Sequence, residues 1–350
     1  MKAGSRIRLI GYFLGFSGAA LLTALIIREG AATILAALVE ASWAVPVVAA
    51  INIPRFFSDG AAWLALVPRP NRPGLLTAVW IRWVGGSVND LLPTARLGGD
   101  LLTARLATIR AGLPPTLAAG ITIVNMTVSI TMRILVTIGA LVLIAGITGL
   151  AHLYLPTVVA GLTALSAVLG FYLIQRFGIS QLITSLISLV KSRFPIVERA
   201  SLARPNGSGW SSLTRSGAEF DSTVRDLYTR RLALLACTLL WIFSWLVGCV
   251  ETWVALSALG IQTSFVVALI VETAGQSVRS VFFIVPAGLG IFEGGMVMIC
   301  SLLGISGEVA LALSLIRRAR EALFSGPGLI IWQFVEARRI SRRSNQALPS

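Results

Sequence analysis

Histidine is almost absent from this chain. His152 stands alone in 350 residues, which excludes a His-rich metal cluster and leaves a Ser-His-Asp apparatus one candidate base, outside any recognisable motif. Cysteine is nearly as scarce. Cys237, Cys249 and Cys300 are odd in number, form no C-x-x-C and lie in apolar runs. They read as small buried side chains, with no disulfide frame or thiolate metal site. Charge is also thin, at 13% of residues. No metal and no cofactor is expected. Gly288-Leu-Gly290 looks like the start of G-x-G-x-x-G, but Glu293 holds the last glycine's place and no strand precedes it, so no dinucleotide site is expected.

What the chain has is apolar surface: 56% hydrophobic residues and a mean hydropathy of +0.84. The class is a polytopic membrane protein. The net charge of +14 raises nucleic acid as a partner, but the basic residues cluster in the gaps between apolar runs. That is how Lys and Arg orient a membrane protein, so no nucleic acid is expected. The N-terminus carries Lys2, Arg6 and Arg8 before an apolar run from Leu9 to Ile27. No A-x-A site precedes Arg28, so this run is expected to be an uncleaved first helix.

Spanning helices are expected at about 7–27, 31–51, 118–147, 153–174, 232–256 and 308–335. Two further apolar regions, 74–107 and 264–304, are broken by proline and glycine. The polar segment 175–230 is expected to be cytoplasmic and loose around Arg204 to Gly209, with an interfacial helix at 179–194. The N-terminus, the loop 52–73 (Arg55, Arg69, Arg72) and the tail (Arg338, Arg339, Arg342, Arg343) also read as cytoplasmic. The nearly uncharged connections 28–30, 148–153 and 257–263 read as external. With those sides fixed, 74–107 must return to the cytoplasm it came from, and 264–304 to the outside. The expected fold is therefore all-α and polytopic, with about six spanning helices and two re-entrant helical hairpins. The alternative makes every run a full span and puts Arg96, Arg105 and Arg110 outside. One integral membrane domain, 1–350, is expected, with repeat-like halves at about 31–174 and 232–335 linked by the basic loop 175–231.

The two broken regions resemble each other. One reads GGSVNDLLPTARLGGD, Gly85 to Asp100; the other reads GQSVRSVFFIVPAGLGIFE, Gly275 to Glu293. Each has G-x-S-V, then a proline, then an acid seven positions later: Pro93 to Asp100, and Pro286 to Glu293. Three spanning helices separate the copies, an odd number, so the repeats should be inverted. Inverted repeats with broken helices are a transporter arrangement, with the substrate site near the midplane. Pro93, Gly98, Gly99, Pro286, Gly288, Gly290 and Gly294 would shape the hairpin backbone.

Ionisable residues in apolar segments mark a polar intramembrane site. Glu272 and Arg279 share a helix face with Gln276 between them. Arg82 and Asn89 occupy the matching positions of the first copy. Asp100 and Glu293 follow the prolines. Arg317 and Glu321 have the i,i+4 spacing of an ion pair. These eight are the candidate substrate-binding residues. Glu251, Arg133, Arg318 and Arg320 are further charges in apolar runs, whereas Arg105, Arg110 and Arg338 read as snorkelling or orientation residues. The competing reading is that such charges only tie helices together.

The stretches SVNDLLPTARLGGDLLTARL (87–106), VETWVALSALGI (250–261), VETAGQSVRSVFFIVPAGLGIFEGG (271–295) and ALALSLIRRAREALFSGPGLIIWQ (310–333) resemble the flippase-like transmembrane region of lysylphosphatidylglycerol synthases. The hopanoid-biosynthesis-associated membrane proteins of that superfamily are the more similar branch. Two positions depart from its pattern: Ala287 replaces the first glycine of P-G-G-L-G-x-x-E-G, and Asp100 stands where a glutamate is frequent. The lysyl-transferring soluble domain is absent, so the resemblance carries no enzyme activity. It implies a bacterial inner-membrane protein, both termini cytoplasmic, that moves hopanoid or a phospholipid between leaflets or towards the outer membrane. The bilayer and lipid-biosynthesis enzymes would be its partners. The alternatives are a membrane-embedded lipid-modifying component, with His152 or a carboxylate as base, or a scaffold for hopanoid synthesis.

Overall fold

The computed structural model describes residues 23–24, 26–92, 98–149, 154–178, 208–281 and 290–346, and no strand occurs among them. The helices are α1 (Ala31–Glu40), α2 (Ala44–Leu66), α3 (Leu75–Leu91), α4 (Gly98–Ala111), α5 (Pro115–Thr148), α6 (Tyr154–Phe177), α7 (Ser208–Thr229), α8 (Arg231–Ala258), α9 (Phe265–Val281), α10 (Ile291–Leu302) and α11 (Gly307–Gln346). Local chemistry sets several boundaries. Proline opens α5, where its missing N–H costs nothing. Gly149 closes the same helix at φ 68°, a left-handed turn suited to glycine. The chain is an all-α polytopic membrane protein.

Three described helices are long and apolar enough to cross a bilayer: Pro115–Ile147, Leu155–Phe177 and Arg231–Ala258. The pair Ala32–Glu40 and Ala44–Leu66, bent by 65°, supplies a fourth if it is one span. Of the other expected spans, 7–27 lies almost wholly outside the described residues, as does the interfacial segment 179–194. The expected span 308–335 falls within α11, which has the length but not the apolar composition, because Arg317, Arg318, Arg320 and Glu321 interrupt it.

Two expectations are corrected. The loop predicted at 52–73 is helical as far as Leu66, with Pro54 inside the helix, so Arg55 is not a loop residue. The polar segment 175–230 ends in a helix, α7, which packs on α5 and α6 and buries Val224 and Leu227. Its hydroxyl-rich, charged composition hides a single apolar stripe.

The broken regions form two antiparallel helix pairs, α3–α4 and α9–α10. The four helices have 17, 14, 17 and 12 residues. At 1.5 Å per residue each is about 18–26 Å long, shorter than the roughly 30 Å hydrocarbon core. In the first hairpin glycine meets glycine: a Cβ on Gly99 would lie 2.0 Å from the Gly85 carbonyl oxygen. In the second, a Cβ on Gly295 would lie 2.8 Å from the Val278 side chain. Such small-residue contacts let backbones approach where lipid offers no hydrophobic drive for association.

Both hairpins lie against α5 and α11, and they use α11 from opposite ends. In the first, Arg105 near the base bonds Glu336, while Asp90 near the tip accepts a hydrogen bond from Ser325. In the second, Cys300 near the base shares a core with Ala310 and Leu313, while Glu293 at the tip meets Arg318. The tips thus approach one stretch of α11, with Arg318 and Ser325 about 10 Å apart along the axis.

Candidate functional site

One turn of α11 holds Arg317, Arg318 and Arg320. Successive helical positions turn by about 100°, so the three guanidinium groups fan out, each to a carboxylate on a different helix. Arg317 pairs with Glu272 of α9. Arg318 pairs with Glu293 of α10, Nε to Oε1 at 2.9 Å. Arg320 pairs with Glu251 of α8 at 2.6 Å, and lies 3.5 Å from Glu321 on its own helix.

Glu272 is the most elaborately held acid. Besides Arg317 it has Arg55 Nη1 of α2 at 3.9 Å, Gln276 donating to Oε1 at 3.1 Å and the Thr252 hydroxyl 2.8 Å from Oε2. Arg317 also donates to the Thr252 oxygen. The space for this arrangement comes from Gly248, whose Cβ would stand 2.7 Å from Glu272 Oε1. Glu251, one position before Thr252, also accepts from Asn52 at 2.6 Å. Next along α2, Asp59 accepts from Ser244 of α8 at 2.8 Å. A polar seam therefore runs between α2 and α8 and ends at α11. Buried charges of this kind are tolerable only when paired and hydrogen-bonded.

The tips use a different device. Gly290, at φ 75°, precedes α10, and its amide donates to Glu293 Oε2 at 2.7 Å. Glu293 is fully buried and splits its oxygens between that free helix-end amide and Arg318. At the first tip, the Gly99 amide donates to Asn89 Oδ1 at 2.8 Å. Asp100, in the first turn of α4, faces Arg82 at 3.4 Å. Both tips therefore satisfy an orphan amide at the start of their second helix.

The model of one protein family, described as Lysylphosphatidylglycerol synthase TM region, matches residues 9–326. The chain belongs to that family. Neither a curated protein nor a solved structure matches it. The lysylphosphatidylglycerol synthase TM region is a membrane assignment concerned with lipid handling, which agrees with the apolar helices.

In this family member Arg82, Asn89 and Asp100 come together within the first hairpin, and Glu272, Glu293, Arg317 and Glu321 gather around one stretch of α11. Arg279 belongs to α9, but its side chain is outside the described residues, as are Pro93, Pro286 and Gly288 altogether. Gly98 and Gly99 open α4, while Gly290 and Gly294 flank the start of α10. The i,i+4 pairing of Arg317 with Glu321 is corrected. Arg317 turns to Glu272, 45 positions away, and Arg320 faces Glu321. Arg55, Asn52, Asp90 and Thr252 join the network without having been candidates. Asn52, Arg55 and Asp59, at i, i+3 and i+7 on one face of α2, were the available signal. Among the described residues no group of three His, Cys, Asp or Glu side chains is placed to hold a metal ion.

Proposed function

We propose that the chain is a lipid transporter that moves an amphipathic lipid between leaflets by alternating access at the two hairpin tips. The observation that carries this reading is the approach of both tips to the same stretch of α11, beside a cluster of buried, mutually paired Arg and Glu side chains. Charges at membrane depth are costly unless they serve a polar path or a polar ligand. Broken helices meeting near a midplane are a transporter arrangement. A headgroup would exchange places with the ion pairs as they open, while its apolar part stays in the bilayer. Arg82, Asp100, Glu272, Glu293, Arg317 and Arg318 would contact it, together with Arg279. Membership of the family supports lipid as the cargo, and hopanoid or a phospholipid is the cargo we favour. This reading assigns no catalytic step to the chain, and places it in a bacterial inner membrane with both termini cytoplasmic.

The test is leaflet exchange of a labelled phospholipid or hopanoid by the full chain in reconstituted vesicles. Loss of exchange is expected in a folded Glu293→Gln, Arg318→Gln double variant. Full activity in that variant removes the site assignment. Co-purification with lipid-biosynthesis enzymes in the absence of any exchange by the native chain would favour a scaffold instead.

A further inference from the structure

A second feature lies at the base of the first hairpin, away from the tips. Between the first turns of α3 and the last turns of α4 is a cavity of about 460 Å³, lined by Thr77, Trp80, Leu106, Ile109 and Arg110. That volume suits a small-molecule group. The Arg110 guanidinium lies over the Trp80 ring, 4.6 Å from its centroid. The other two described arginines of this hairpin are matched to acids, Arg82 to Asp100 and Arg105 to Glu336. Among the described residues Arg110 has no carboxylate partner.

Indole stacking holds this cation in place without neutralising it. The cavity therefore presents a fixed positive charge, a threonine hydroxyl able to donate, and an apolar wall. The wall continues outward: Leu76 and Ile109 are 71% and 57% exposed. An occupant that matches all three elements has a negative head and a hydrocarbon tail. A free anion would use the arginine and leave the wall bare. Tryptophan with a basic residue is also the pairing found at the level of lipid headgroups.

We propose that this cavity seats an anionic phospholipid. Its phosphate sits on Arg110 and Thr77, and one acyl chain lies against Ile109 and Leu76. Such a lipid would bridge α3 and α4 at their open ends, as the Gly85–Gly99 contact joins them nearer the tip. The seat is separate from the cluster on α11 and stands or falls independently of the transport reading.

The experiment is native mass spectrometry of the full chain released from nanodiscs of mixed phosphatidylglycerol and phosphatidylcholine. The native protein should retain phosphatidylglycerol in clear preference to phosphatidylcholine. Arg110→Ala and Thr77→Glu, which removes the cation or faces it with a carboxylate, should each lose that preference. Arg110→Lys should keep part of it. Arg110 is exposed and Thr77 half-buried, so Arg110→Ala should melt with the native protein and Thr77→Glu close to it. Equal retention of both lipids by the native chain, or an undiminished preference in Arg110→Ala and Thr77→Glu alike, overturns the proposal. Displacement of the lipid by millimolar inorganic phosphate overturns it in favour of a free anion site.

Discussion

The two hairpins share a plan and differ in anchorage. In the first, the acid at the tip is answered from within the hairpin: Arg82 of α3 faces Asp100 of α4, and Asn89 of α3 caps the Gly99 amide, while the ion pair to α11, Arg105 to Glu336, is half-exposed. Its other links to α11 are neutral-donor bonds, Trp83 midway along α3 to the Phe324 carbonyl and Ser325 to Asp90 at the tip. In the second, both acids are bound to arginines of α11, Glu272 to Arg317 and Glu293 to Arg318. The first hairpin is held together by its own backbone contact and docked by neutral-donor bonds and one half-exposed ion pair. The second is fastened to its neighbour by desolvated ion pairs. The difference teaches that one sequence pattern, G-x-S-V then proline then acid, can be stabilised in two ways.

Breaking that comparison should be hardest on the second hairpin. Arg317→Ala leaves Glu272 with the distant Arg55 and two neutral donors, Gln276 and Thr252, and weakens the junction of α8, α9 and α11. Removing one partner of a buried pair typically costs about 3–5 kcal/mol, to be read as a lower melting temperature in detergent with faster hydrogen exchange in α9. Next comes the glycine contrast. Gly99→Ala would drive a Cβ into the Gly85 carbonyl, a backbone atom that cannot turn aside. Gly295→Ala meets only the Val278 side chain. Overpacking costs about 1–3 kcal/mol. Gly99→Ala should fall at the upper end and Gly295→Ala at the lower, and the reverse order in thermal unfolding would refute the contrast. Arg82→Ala should cost about 1 kcal/mol, because its pair is partly exposed and long.

The smallest effect provides a reference outside both hairpins. Tyr228 of α7 donates to Gln175 at 2.7 Å, and burial pushes its phenol up to about 12. Burial favours the neutral form, so this contribution is complete below the ordinary phenol value near about 10 and fades as pH rises from there towards 12. Tyr228→Phe should flatten the alkaline loss of melting temperature and leave exchange in both hairpins unchanged.

The sequence made the helix pairs legible because proline and glycine interrupt apolar runs. It also brought out Arg82, Asp100, Glu272 and Glu293, since a charge in an apolar run is conspicuous. It did not reveal partners. Arg317 looked matched to Glu321 by helical spacing, yet the fold brings Glu272 nearer from 45 positions away. Arg55 looked like a loop residue because Pro54 and several arginines surround it, yet α2 continues past the proline. Local spacing predicts contacts within one helix; it has no access to which helices meet. The helix α7 was hidden for a related reason, because its apolar stripe is narrow and set among Ser, Arg and Asp.

Contact of one continuous helix with both tips has a mechanical consequence. A carrier must never open to both sides at once. Two gates built on separate supports would need some messenger to coordinate them. If the chain is the carrier proposed above, a slide or roll of α11 that eased Arg318 away from Glu293 would also displace Ser325 and Phe324 against the first hairpin. Interlock would then be a property of the scaffold, set by the seven-position spacing of Arg318 and Ser325 rather than by any signal passed between them.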